Sequence, residues 1–277
     1  MPAPPAPLIV CLTSQDGDRN LSYDGAMIFY QAILQYDGTD RQGWQHSEGA
    51  STIQGDLNLA LRSILKGEFT TRAASRTDKG VHALAQVIKI SSEDTLTLEA
   101  LNTALPAHMN CLALETCAQE FIPSIDQKSK EYRYLFAAAD QRYIAHAPAH
   151  LNTAAMQTCV AMLTGTRDFK NFWSIGGISN TTVREILACE LTQINPHEFF
   201  QGSLFSSELT SCWQFRIHGR GFLKHMVRHL VGALWEVGAG KLTPEDFARY
   251  LEGELKPQRP WKKADPKGLF LVKVHYL

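Results

Sequence analysis

The stretch Ala74-Ser75-Arg76-Thr77-Asp78-Lys79-Gly80-Val81-His82 sets an aspartate between an arginine and a lysine. A carboxylate within about 4–6 Å of a guanidinium has its pKa lowered and stays ionised at neutral pH. Such an anion can act as a nucleophile or a base. The same residues also make an Asx-type turn with surface ion pairs, because Asp and Gly are ordinary turn formers. A second group lies far away in the chain. Between Glu208 and Glu236 there is no acidic residue, yet the window holds Arg216, Arg220, Lys224 and Arg228 with His218, His225 and His229. Arg220, Lys224 and Arg228 fall at i, i+4 and i+8, which on a helix makes a basic stripe. Like charges at that spacing repel. A solvated face and a polyanion-binding face are the two readings, and the adjoining Arg216 and His218 favour the second.

Other chemistries find little support. The six cysteines form no C-x-x-C pair, and no H-E-x-x-H, P-loop or full G-x-G-x-x-G is present. Metal, nucleotide and dinucleotide cofactors are therefore not expected. A net charge of −1 and a pI near 6.8 speak mildly against nucleic acid as a partner, but the distribution of charge matters more than its sum. No apolar run approaches the roughly 20 residues of a membrane span. The start MPAPPAPLIVCL has no basic region ahead of its short apolar stretch, so no secretory signal is expected. The scattered cysteines suit a reducing cytoplasm.

The elements that must position these residues follow from periodicity. MIFYQAILQYDG reads as a strand ending in a turn. Ser51 or Thr52 caps a helix with Ile53, Leu57, Ala60, Leu61, Ile64 and Leu65 at helical spacing. RAASRTDKGVHA reads as a loop after that helix, AQVIKIS as a strand, LTLEALNTALP as a helix and NCLALETCAQE as a strand. In the second half EYRYLFAAA is a strand, TAAMQTCVAMLTG a helix closed by Gly165, and REILACELTQI and CWQFRIHGR are strands. Trp213, Phe215 and Ile217 alternate with polar neighbours as in a half-buried strand. A long helix is predicted over 222–237, Thr243 caps another with Pro244 at its first position, and GLFLVKVHYL closes the chain as a strand. The expectation is an N-terminal tail over 1–25, an α+β domain over 26–124 and a second over 125–277, each an antiparallel sheet with helices on one side.

Seven collinear segments carry a resemblance: YDGTDRQGWQ (36–45), SRTDKGVHA (75–83), LNTALP (101–106), KEYRY (130–134), GTRDFKNF (165–172), GRGFLKHMVRHLVGALWEVGAGKLTPEDF (219–247) and GLFLVKVHY (268–276). Together, over about residues 28–276, they resemble the tRNA pseudouridine synthase A (TruA) family. The resemblance implies two ferredoxin-like (RRM-like) domains whose antiparallel sheets join across a central basic cleft, and a homodimer. It implies isomerisation of uridine to pseudouridine in the anticodon stem-loop of tRNA, with no metal or cofactor. It makes Asp78 the catalytic carboxylate, acting on the ribose by attack at C1′ or by proton abstraction. Arg228 would pair with Asp78, Arg76 would help displace the target base, and Tyr132 and Leu269 would line its pocket. Lys79, Arg216, Arg220 and Lys224 would contact RNA.

Each assignment has a plainer counterpart. Tyr132 and Leu269 could be core residues, His82 a structural hydrogen-bonding group or an RNA contact, and Phe169, Phe172 and Trp173 core. Asp37 and Asp40 read as turn residues. Two arginines usual in the family are replaced, by Ser124 and Asn180, which removes cations from surfaces that could touch tRNA. A non-catalytic RNA-binding protein would have no use for an ionised aspartate among cations. A glycosidase would need a second carboxylate, and none is evident.

Overall fold

The computed structural model describes residues 27–176, 180–255 and 259–276; the expected tail over 1–25 lies outside them. β1 (Ile28–Tyr36), β2 (Phe69–Ala73), β3 (His82–Ser92) and β4 (Met109–Thr116) come from the first half of the chain. The second half supplies β5 (Ser129–Ala137), the short β6 (Ala145–His146), β7 (Gly165–Asp168), β8 (Val183–Ile194), β9 (Cys212–Gly219) and β10 (Leu269–His275). The main path runs β4-β1-β3-β10-β5-β9-β8-β7, with β2 pairing β3 and β6 pairing β5. The halves therefore share one ten-stranded mixed sheet rather than two separate antiparallel ones. The join is a parallel pairing of β3 with the C-terminal β10, Phe270 opposite His82 and Leu271 opposite Ala83.

Seven α-helices accompany the sheet among the described residues: α1 (Ile53–Ile64), α2 (Leu98–Ala104), α3 (Pro123–Asp126), α4 (Thr153–Ala161), α5 (Pro196–Phe200), α6 (Met226–Gly238) and α7 (Pro244–Glu252). Thr52 and Thr243 cap α1 and α7 through their side chains, as their types require. None of the helices described is long and apolar enough to cross a membrane. The apolar stripe Leu223, Val227, Leu230, Val231 and Leu234 is buried, and so is nearly all of α6. A helix apolar on nearly every side belongs in a core. Removing a large core ring such as Phe215, which is fully buried, would cost about 3–5 kcal/mol.

Several expectations change. β2 comes between α1 and the stretch read as a loop and takes in its first two residues, Arg72 and Ala73, so the Asp78 loop follows a strand rather than a helix. Gly165 does not close α4, whose C-cap is Met162; it opens β7 at φ +102°. The expected domain boundary at 124/125 falls inside α3. The helix predicted over 222–237 begins only at Met226. His225 stands at its N-cap with φ +61°, in the left-handed region, and a helix cannot continue backward through that conformation. Arg220 and Lys224 are consequently in the approach to α6, and the expected basic stripe does not form.

Candidate active site

The Asp78 loop, residues 74–81, is held on both sides of the aspartate. Ser75 receives a hydrogen bond on its carbonyl from Gln86 Nε2 (2.7 Å), and its backbone N–H donates to Gln86 Oε1 (3.2 Å). Thr77 Oγ1 bonds the Tyr36 hydroxyl at 2.8 Å, and its carbonyl accepts from Trp44 N–H at 3.0 Å. Val81 N–H closes the turn on the Asp78 carbonyl (3.1 Å). Gly80 has φ +75°, and a Cβ there would meet Pro266 Cγ at 2.8 Å, so glycine is the residue that fits.

A tetrad of polar groups ties this loop to the C-terminal half. The buried Asp37 accepts from Arg142 Nη2 and Tyr143 Oη, both at 2.9 Å, and from Thr39 N–H at 2.9 Å. His82 Nδ1 lies 3.1 Å from Asp37 Oδ1, while Nε2 lies 3.1 Å from the Lys267 carbonyl. Burial pushes the Asp37 carboxyl up, but hydrogen bonds from His82 and Thr39 outweigh it and hold the group well below the usual carboxylate range. Of the readings given to these residues, Asp37 keeps a structural role, though larger than a turn. His82, fully buried between Tyr143, Phe205 and Phe270, is structural and no RNA contact.

Asp78, with 28 % of its side chain exposed, sits in the wall of a cavity of about 1000 Å³. Arg72, Arg76, Lys79, Lys130, Arg184 and Lys224 also line it, and among the described residues Asp78 is the one acid in that wall. Tyr132 on β5 and Leu269 on β10 are mostly buried and contribute to the wall. The β10–β5 register sets Leu271 opposite Tyr132 and Leu269 opposite Tyr134. Tyr132 packs edge-on against Phe222 (centroids 5.1 Å apart) and bonds Ser75 Oγ at 2.8 Å. Burial raises its pKa to about 12, so the phenol stays neutral. Trp173, expected in the core, is only partly buried and faces the cavity; Phe169 and Phe172 are core.

The cations differ from expectation. Arg216 is tied to Glu131 (2.8 Å) and Glu190 (3.4 Å), and Arg220 to Glu185 (2.6 Å); neither lines the cavity. The 209–235 window lacks acids, but neighbouring strands β5 and β8 bring them across the sheet. Of the four cations in that window, Lys224 alone reaches the cavity wall. Arg228 is buried and makes no direct ion pair with Asp78. Its Nε donates to the Ala264 carbonyl (2.7 Å), and Ala264 N–H donates back to the Arg228 carbonyl (3.0 Å). These two bonds strap the segment around 261–264 along α6, where Gly232 leaves room: a Cβ there would stand 2.0 Å from the Lys262 carbonyl oxygen.

The expected lowering of the Asp78 pKa does not come out either. Burial raises it, and the opposing pull of Arg228, Lys263, Lys224 and a hydrogen bond from His225 N–H does not overcome that. The side chain nearest the Asp78 carboxylate is instead His225, Nε2 to Oδ1 at 3.4 Å. Burial, then Lys263, Arg228 and Lys224, push His225 down to about 4, so its ring is neutral at physiological pH. Sequence reasoning missed His225 as a site residue because helical spacing filed it on a basic face. It missed Lys263 because Trp261-Lys262-Lys263 carries no motif, and it missed Lys130 because the KEYRY match drew attention to Tyr132. His225 and His229 stand four apart, yet His229 turns toward Ser174 Oγ (3.0 Å). No group of three metal-ligating side chains occurs among the described residues. Ser124 lines the cavity, so the arginine it replaces is lost from this wall; Asn180 is exposed and outside it.

An anionic carboxylate among cations, beside an aromatic ring and an aliphatic wall, suits chemistry on a polyanionic, ring-bearing substrate. The comparisons with known proteins agree. Proteins called tRNA pseudouridine synthase A from Thermodesulfovibrio yellowstonii and Geobacter sulfurreducens are each 34 % identical to this chain. The first covers 90 % of this chain and 100 % of its own length, the second 88 % and 98 %. One from Listeria innocua is 31 % identical, covering 90 % of this chain and 100 % of its own. A chain of the archaeal box H/ACA sRNP Nop10-Cbf5 complex is similar only remotely, with a TM-score of 0.31 and 10 % identity over 75 % of this chain and 43 % of that one. The profile of a family described as tRNA pseudouridine synthase matches residues 32–120 and 159–277, taking in both the Asp78 loop and α6. With both sides of the cavity inside that match, the chain belongs to the tRNA pseudouridine synthase family.

Proposed function

We propose that this protein isomerises uridine to pseudouridine in the anticodon stem-loop of tRNA, with Asp78 as the catalytic carboxylate. The observation that carries the reading is the cavity itself: one acid in a wall of six cations, on a loop pinned through both Ser75 and Thr77. The cations suit the phosphates on either side of a target nucleotide. Tyr132, Phe222 and Leu269 offer flat and aliphatic surfaces for a base taken out of its stack, as reaction at a base or its glycosidic bond requires. Asp78 then acts on the ribose, by attack at C1′ or by removing a proton, while the detached uracil turns and rejoins through C5. Raised by burial, the carboxyl is more basic than a free aspartate, and the positive field of Arg228, Lys263 and Lys224 opposes that rise. Arg76, on the exposed rim, is suited to the place vacated by the base.

The two-unit organisation belongs to the same reading: an N-terminal α+β unit through about residue 124 and a C-terminal unit after it, ferredoxin-like in each case and fused through β3 and β10. So do action as a homodimer in a reducing cytoplasm and chemistry without a cofactor. A two-carboxylate glycosidase is the poorer reading, because Asp78 has no second acid beside it in the described wall. The deciding experiment incubates the protein with tRNA transcript and analyses the digested nucleosides. Pseudouridine retained in the RNA, lost with Asp78→Asn, supports the synthase. Free uracil in solution would identify a glycosidase, and an active Asp78→Asn protein would remove the carboxylate from the mechanism.

A further inference from the structure

His225 is placed unlike any other residue of the cavity. Its backbone holds φ +61°, a region seldom used by a side chain with a Cβ, and it stands at the N-cap of α6 without capping the helix through its ring. The ring is turned away to other partners instead. Nε2 lies 3.4 Å from Asp78 Oδ1, and Nδ1 lies 3.2 Å from Lys263 Nζ. The backbone N–H of the same residue also faces the Asp78 carboxylate and favours its charged form.

These contacts fix the tautomer. An ammonium has only donors, so Nδ1 must accept from Lys263. In a neutral ring the proton is then on Nε2, the nitrogen that faces Asp78. Lys263 is itself held in place, because its neighbour Ala264 is bonded twice to Arg228. A separation of 3.4 Å is longer than the usual hydrogen bond, and catalytic bonds of this kind tighten when substrate closes the site.

We propose that His225 is the positioning residue of Asp78, its Nε2–H orienting the catalytic carboxylate and its tautomer set by Lys263. Arg228 contributes by strapping Lys263 in place and by its charge. The left-handed backbone is what brings the N–H and the ring of one residue to the same carboxylate. This proposal rests on the reading of Asp78 as the catalytic group.

The test uses the full chain and tRNA, measuring single-turnover rate at saturating enzyme, tRNA Kd and Tm for each variant. His225→Asn tolerates the left-handed backbone but is one bond too short to reach Asp78; His225→Gln can place an amide N–H near the position of Nε2. We expect His225→Asn to lose about 10–100-fold in rate with Kd within about threefold of the parent, the range seen when an orienting partner is removed. His225→Gln should recover at least about half of that loss on a logarithmic scale. Lys263→Met should slow the parent by about tenfold but the His225→Asn protein by less than about threefold, since coupled residues do not add. A His225→Asn rate equal to the parent would overturn the proposal. So would Asn and Gln variants equally slow at unchanged Tm, or a Lys263→Met effect of equal size in both backgrounds. Should the His225 variants melt below the assay temperature, Lys263→Met decides alone: a slower rate at unchanged Kd supports it, an unchanged rate overturns it. If Asp78→Asn stays active, the underlying reading has failed. If Asp78→Asn is inactive while His225→Asn is not slowed, this proposal alone has failed.

Discussion

Ser75 Oγ and Tyr132 Oη lie 2.8 Å apart, a buried bond that joins the Asp78 loop to strand β5 across 57 residues of sequence. It fixes the phenol of the cavity wall relative to the carboxylate three residues further along the loop. Tyr132→Phe keeps the ring and loses the bond. It is expected to lower the single-turnover rate about tenfold or more while leaving tRNA Kd within about threefold, since misplacement of a reacting group is felt in the chemical step. Ser75→Ala should show the same pattern. Equal losses of rate and affinity would reduce Tyr132 to a packing residue.

Asp78 is a cost to the fold at neutral pH. Burial raises its pKa above the unfolded value, so the folded protein holds the proton more tightly than the unfolded chain does. That contribution to stability is full below the unfolded pKa and is lost as pH rises through the folded one. Asp78→Asn should therefore melt at pH 7 no lower than the parent and up to a few degrees higher, with the advantage shrinking toward pH 4. Because Arg228 is bonded to Ala264 rather than to Asp78, the substitution strands no buried ion pair. A Tm at pH 7 more than about 5 °C below the parent would show that the cations around Asp78 depend on it.

Affinity should follow the cavity and not the charge count of the sequence. Lys130 lines the wall, and burial pushes its ammonium down to about 8. A phosphate beside it favours the protonated form, so tRNA Kd is expected to rise as pH passes through 8, and Lys130→Gln should flatten that rise. The slope of log Kd against log salt should fall by about 1 for each such cation removed, Arg76 included. Arg216→Ala and Arg220→Ala, whose charges are spent on Glu131, Glu190 and Glu185, should change the slope little. Steeper effects there than at Lys130 would move the RNA surface off the cavity.

Asp37→Asn probes the join between the halves. The buried carboxylate accepts from Arg142, Tyr143 and Thr39, and an amide can satisfy only some of them. Destabilisation of about 2–4 kcal/mol is expected, read by urea unfolding. The lowered pKa of Asp37 means its stabilisation is present above the unfolded carboxyl pKa and is lost as pH falls through the folded one. The acid limb of the stability curve should accordingly be shallower in the variant. A loss below about 0.5 kcal/mol would make the cluster a surface ornament.

Much of this protein is local and was legible. The apolar periodicities of α1 and β1, the Thr52 and Thr243 caps, and the turn chemistry of Asp78 and Gly80 follow from residue type and spacing, because they depend on neighbours one to four residues away. The motif around Asp78 also led to the family, together with six other segments in order. What spacing could not reach was decided by pairings between distant segments. Whether Arg216 and Arg220 were free depended on Glu131, Glu185 and Glu190, brought alongside by the β5–β9 and β8–β9 registers. Whether Arg228 touched Asp78 depended on the Ala264 carbonyl, which the close approach at Gly232 allows. The backbone of His225 was hidden for the same reason: its side chain fits a helix by type, while in the fold it stands in the left-handed region at the N-cap of α6, with its ring on Asp78 and Lys263. Even the pKa of Asp78 turned on tertiary structure, since the adjacent Arg76 and Lys79 are near in sequence while the burial that prevails is made by the walls closing around it.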